Sequence, residues 1–117
     1  MNSKQFNDAI ESGDLETLRR LHLYGCSRQL HGNSEAFVIA ARNGDLEILM
    51  WLYVNGYTWN DDGINAYTAA IKNGHLSIVK YLHEKGCPWD GSLYECAAEY
   101  QHPHILEYLN DNGLSHI

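Results

Sequence analysis

The sequence is short of most features that would announce a function directly. Proline occurs twice and cysteine three times in 117 residues. With so little proline and no tract of biased composition, no linker or disordered tail is expected. Cys26, Cys87 and Cys96 are an odd, widely spaced set with no Cys-x-x-Cys pair. That excludes the disulfide framework of a small secreted domain and points to a reducing compartment, cytoplasmic or nuclear. No apolar run approaches the roughly 18 residues of a membrane-spanning helix. The opening Met1-Asn2-Ser3-Lys4-Gln5 has no apolar core behind it, so no signal peptide is expected.

Positive charge is also scarce. Eight Lys and Arg stand against fifteen Asp and Glu, a formal net charge of -7, and the only adjacent basic pair is Arg19-Arg20. Nucleic acid and anionic membrane both require clustered basic residues, so neither is expected as a partner. There is no glycine-rich phosphate loop and no Gly-x-Ser-x-Gly elbow. The only adjacent acidic pair, Asp61-Asp62, reads as a solvated turn. Catalysis and a cofactor are not expected. A metal site at His102, His104 and Cys96 is disfavoured because a repeat, described next, already accounts for His102 and Cys96.

What the chain does have is self-similarity. Ala9-Ile10-Glu11-Ser12-Gly13-Asp14-Leu15 aligns without gaps on Ala40-Ala41-Arg42-Asn43-Gly44-Asp45-Leu46, on Ala70-Ile71-Lys72-Asn73-Gly74-His75-Leu76, and on the segment that starts at Ala97-Ala98-Glu99-Tyr100-Gln101-His102. Successive offsets are 31, 30 and 27 residues. An aromatic recurs upstream (Phe6, Phe37, Tyr67, Tyr94), a leucine downstream (Leu21, Leu52, Leu82, Leu109), and a glycine four residues beyond each leucine (Gly25, Gly56, Gly86, Gly113).

Each unit reads as two helices. The first runs from just before the aromatic to just before Gly13, Gly44, Gly74 or Gln101, where a left-handed residue should end it. The second is expected over Asp14–Tyr24, Asp45–Val54, His75–Lys85 and Pro103–Asn112, with Asp14, Asp45 and His75 as N-caps and Pro103 at the first helical position. Asn-Gly pairs could instead mark β-hairpins, but here they recur at the ends of segments with helical spacing. The chain is expected to be one domain, with repeats at about 3–33, 34–63, 64–90 and 91–117.

The pattern Ala-x-x-x-Gly-His-Leu, apolar pairs, then Leu and Gly resembles the ankyrin repeat, best in the third unit: Gly63, Ala70, Gly74-His75-Leu76, Ile78-Val79-Lys80-Tyr81-Leu82 and Gly86. The stretch from Gly74 to Asp90 is similar to the short-repeat variants of giant viruses, amoebae and oomycetes, which would place the protein in a host cytoplasm if viral. The Thr-Pro-Leu-His start of the family is absent, and aromatics replace its leucine. The loops are short of the usual period of about 33 residues, so projecting fingers are not expected. The implied fold is all-α: an ankyrin-like solenoid of four stacked helix-turn-helix repeats with short loops and little or no strand. The tetratricopeptide repeat, whose Trp-Leu-Gly-Tyr pattern is missing, is the alternative helical solenoid.

The resemblance implies a monomeric protein-interaction module binding an unidentified protein or peptide on a concave face. Carried over by position, the loop set is His31, Ser34, Asp61, Asp62, Ile64 and Gly91, and the first-helix set is Glu11, Ser12, Arg42, Asn43, Lys72, Asn73, Glu99 and Tyr100. A partner of basic or mixed charge is expected from the net charge. The alternatives are an adaptor delivering a target to a ubiquitin ligase and a passive structural spacer. Arg20, where later repeats carry Trp51, Tyr81 and Tyr108, reads as an N-terminal capping feature. Trp59 and Trp89 are equivalent, each three residues after a turn glycine, and read either as covers on the inter-repeat core or as exposed hot spots.

Overall fold

The computed structural model describes residues 3–23 and 35–114. Among them eight α-helices follow in order: α1 (Ser3–Glu11), α2 (Leu15–Leu21), α3 (Glu35–Asn43), α4 (Leu46–Val54), α5 (Gly63–Lys72), α6 (Leu76–Glu84), α7 (Ser92–Glu99) and α8 (Pro103–Asp111). They pair as four antiparallel hairpins stacked along one axis, in an elongated body of 48 × 22 × 18 Å. The described residues contain no strand, and the place of a projecting finger is taken by a 3-10 turn at Asn60–Asp62. Asp61 and Asp62 therefore sit in helical turn geometry rather than in an open loop. Tyr24, Gly25, Cys26, His31 and Ser34 lie outside the described residues, as do Ser115, His116 and Ile117.

One turn recurs at every described helix junction. Gly13, Gly44 and Gly74 have φ of +73°, +71° and +73°, and Gln101 adopts +58° at the equivalent place. The next residue then bonds back across the turn: Asp14, Asp45, His75 and His102 donate backbone N–H to the carbonyls of Ala9, Ala40, Ala70 and Ala97 at 2.8–3.1 Å. The glycines that end the second helices do the same. Tyr57, Cys87 and Leu114 donate to Leu52, Leu82 and Leu109 at 3.1, 3.0 and 2.8 Å. These bonds satisfy carbonyls that a helix end would otherwise leave unpaired. They also explain the fixed spacing from Ala or Leu to Gly.

The second helices start as expected at Asp14 and Asp45, whose carboxylates accept from the N–H of Thr17 and Ile48, each at 3.1 Å. Pro103 occupies the first turn of α8. His75 differs from expectation. It stands at the N-cap position but its side chain makes no capping bond. Its ring instead reaches the preceding repeat, where Nε2 lies 3.2 Å from the Arg42 carbonyl, and His102 does the same to Lys72 at 3.3 Å. A carbonyl only accepts, so Nε2 carries the proton in both. The ring lies so close that a Cβ on Gly44 would come within 2.6 Å of it. Gly44 is thus required twice, by its positive φ and by the histidine above it.

The core is a single file of side chains. Phe6, Phe37 and Tyr67 are fully buried, with Ala9, Ala40, Ala70 and Ala97 packed beside them. The first helices, α1, α3, α5 and α7, make most of the contacts between repeats, and the second helices far fewer. Small residues allow that close approach. Tyr67 carries a hydroxyl where Phe6 and Phe37 have none, and its O–H donates to the Cys87 carbonyl at 2.8 Å. Cys87 itself is buried, and its thiol, pushed up to about 11 by burial, packs where a Cβ on Gly63 would come within 2.7 Å. At the end of the file Tyr94 and Cys96 are only half-buried, whereas the equivalent Tyr67 and Ile39 are buried.

The outer rings join neighbours. Trp51 meets His22 edge-on at 5.4 Å, Tyr81 meets Tyr53 at 6.1 Å, and Tyr108 meets His83 at 6.0 Å. Arg20, at the equivalent place in the first repeat, is exposed and 4.0 Å from Glu16. Trp59 is half-buried between Phe37 and Tyr53, and Trp89 between Tyr67 and His83, with centroid separations of 3.8–5.8 Å. Both indoles are therefore packed covers on the aromatic of their own repeat.

Two stability measurements check this account. Gln101→Gly should raise the unfolding free energy by up to about 1 kcal/mol, while Gly44→Ala should lower it by about 1–2 kcal/mol or more; equal effects in urea denaturation would contradict the turn geometry. Trp59→Ala should lower stability by about 2 kcal/mol, and an unchanged midpoint would mean that the indole is no part of the core.

Candidate functional site

The residues that face solvent on the first-helix row follow from helical spacing. Burying Phe37 and Ala40 on α3 turns Val38 and Arg42 outward, and burying Tyr67 and Ala70 on α5 turns Thr68 and Lys72 outward. Glu11, Arg42, Lys72 and Glu99 occupy the same register in the four repeats and form one row along the stack.

The three junctions along this row are not alike. At the first, Arg42 forms an ion pair with Glu11, its Nη2 donating to both carboxylate oxygens. Asn43 adds a bond from Nδ2 to the Glu11 carbonyl at 3.3 Å. The Arg42 guanidinium, opposed by slight burial and aided by Asn43, holds the Glu11 carboxyl below its usual range. At the third junction the Lys72 ammonium lies 5.7 Å from the centroid of the exposed Tyr100 ring. The middle junction brings Arg42 and Lys72, two cations, onto neighbouring helices; the His75 ring reaches the Arg42 carbonyl there, and among the described residues no carboxylate stands between the two cationic side chains. The junction opens as a shallow groove of about 350 Å³ lined by Val38, Arg42, Asn65, Thr68, Ala69, Lys72 and Asn73.

The expected site residues divide accordingly. Arg42, Lys72 and Asn73 come together in the groove. Asn73 is partly engaged, its Nδ2 donating to the Ala69 carbonyl at 2.9 Å. Asn43 and Glu11 close the first junction, and the Ser12 hydroxyl donates to its own helix at Ala9. Glu99 and Tyr100 end α7 beyond the groove, and Gly91 is exposed ahead of it. Asp61 and Ile64 line a separate hollow of about 200 Å³ with Gly63 and Pro88. Asp62 is half-buried and accepts from Asn65 Nδ2 at 3.0 Å, so it acts at the start of α5. His31 and Ser34 lie outside the described residues. Val38, Asn65, Thr68 and Ala69 were not expected. They lie three, four or seven residues before Arg42 and Lys72, and that spacing was the available signal.

Among the described residues, no three of His, Cys, Asp and Glu gather as a metal-ligand group, and no helix is long and apolar enough to cross a membrane. The Cys96 thiol is pushed up by burial, with Lys72 acting in the opposite sense.

A family model described as ankyrin repeats (3 copies) matches residues 6–90 and 37–116. No curated protein and no solved structure matches the chain.

The Glu11–Arg42 pair is half-exposed, so a double-mutant cycle with Glu11→Gln and Arg42→Met should give a coupling of no more than about 1 kcal/mol. Because the folded state depresses the Glu11 value, this stabilisation is present above the ordinary glutamate range and is lost as pH falls through the depressed value. The coupling, measured by denaturation at neutral and at acidic pH, should vanish in acid; a coupling that grows in acid would contradict the pairing.

Proposed function

Because the chain belongs to the ankyrin-repeat family, whose members generally mediate protein–protein contacts and are typically non-catalytic, we propose that it binds a protein or peptide partner through the first-helix face, on the concave side of the stack. The observation that carries this reading is the groove between α3 and α5, with Val38, Thr68 and Ala69 on its floor and Arg42, Lys72 and Asn73 on its rim. A rigid row of helices loses little conformational freedom when a partner docks, so a modest patch can bind usefully. Specific polar groups over a small apolar floor also favour recognition of side chains over chemistry on a small molecule. The framework that repeats sets the shape, and the positions that differ between repeats set the partner.

The test compares the protein with two triple variants in capture from lysate of the source cells. Arg42→Ala with Asp62→Ala and Lys72→Ala should lose the captured protein. A control on the second-helix row, Glu47→Ala with Lys80→Ala and Glu107→Ala, all exposed positions, should keep it. Loss with the control alone would move the binding surface to the outer face. Equal capture by both variants and by the parent would leave the first-helix face without a role.

A further inference from the structure

The first-helix row carries a charge pattern that the net charge conceals. In register it reads acid, base, base, acid: Glu11, Arg42, Lys72, Glu99. Where opposite signs meet, at the first junction, the side chains close on each other. Where like signs meet, at the middle junction, the two cations cannot pair with each other, although α3 and α5 pack more closely than any other two helices. No acidic residue lines the groove left between them. Arg42 has one counter-ion already, in Glu11, whereas Lys72 has no carboxylate within 4 Å among the described residues and lies over the Tyr100 ring and near Cys96. The missing element at this junction is a negative charge.

We propose that the surface groove over the packed α3–α5 junction is filled by a carboxylate side chain of the protein partner, an Asp or Glu held against Lys72 and the free donors of Arg42. The proposal rests on the reading of the first-helix face as the binding surface. The incoming carboxylate completes an alternating series, Glu11, Arg42, partner acid, Lys72, and offsets the like charge of the two cations. Charge-assisted hydrogen bonds of this kind are among the stronger ones. Glu11 and Glu99 on either side favour basic residues flanking that acid, so the partner segment is acidic at its centre and basic at its edges. The net charge of -7 alone would have pointed only to the flanks.

A library of random heptapeptides displayed on phage and selected on the immobilised full chain tests this. The enriched peptides should share an Asp or Glu. Replacing that acid by its amide, or making Lys72→Gln in the protein, should weaken binding about tenfold, the scale of one charge-assisted contact. Lys72→Glu should then prefer the same peptide with Lys in place of the acid. Lys72 is exposed, so these variants leave the core untouched. Enriched peptides that lack a common acid, but lose binding on Thr68→Arg, would overturn the carboxylate and leave the face standing. Peptides indifferent to both Lys72 and Thr68 would overturn both, as would a selection that yields no sequence above the bare support. Inorganic phosphate that displaces the peptide at matched ionic strength would mark a general anion site and overturn the assignment to a side chain.

Discussion

The left-handed turn that ends seven of the eight described helices is the constraint on which the rest depends. It ends the helix and lets the next backbone N–H bond five residues back. In doing so it fixes the angle at which the second helix leaves the first. Once that angle is the same in every repeat, the aromatic at the start of one first helix falls beside the alanine of the next. A run of buried rings and small residues then forms without any single long-range contact being special. Burying one such ring is worth about 1.5–3 kcal/mol, several times an exposed ion pair. The stack is therefore held by its interior, and the surface row is free to carry charges that do not match.

Helix boundaries were legible in the sequence because their signals are local: glycine at the turn, Asp14 and Asp45 before an apolar residue, Pro103 in a first turn. The roles of His75 and His102 were not. His75 read as a cap and His102 as its equivalent, but each ring is drawn to a carbonyl in the preceding repeat, about thirty residues away in sequence. The same limit applies to the groove. Arg42 and Lys72 could be chosen from the alignment, yet Val38 and Thr68 join them only because α3 and α5 pack side by side and bring their outward residues together. Which side chains meet there is decided by pairs of residues across repeats. The repeat alignment, which stresses what is common, hides those differences.

The cover provided by Trp59 and Trp89 lies between these cases. Equivalence in the repeat pointed to structure, and the rings below and beside each indole confirm it. Gln101 is a related instance. A side chain with a Cβ adopts +58° there, where a glycine would be relaxed. At Gly44 and Gly74 the ring of the following repeat occupies the space that a Cβ would need. Gly44 and Gly74 are thus a record of stacking as much as of backbone conformation, whereas Gly86 and Gly113 have open space where a Cβ would stand.

The file of buried rings joins each repeat only to its neighbours, and this has a kinetic meaning. Contacts between repeats span from about one repeat of chain, as between Lys72 and His102, to less than two, as between Phe6 and Tyr57, so no very large loop must close before packing begins to reward the chain. The junction of the second and third repeats is the most closely packed, with Phe37 and Tyr67 both buried. It is the natural place for assembly to nucleate and the last to open in amide exchange. The fourth repeat, with Tyr94 and Cys96 half-covered, then zips onto that centre and is the first to come away.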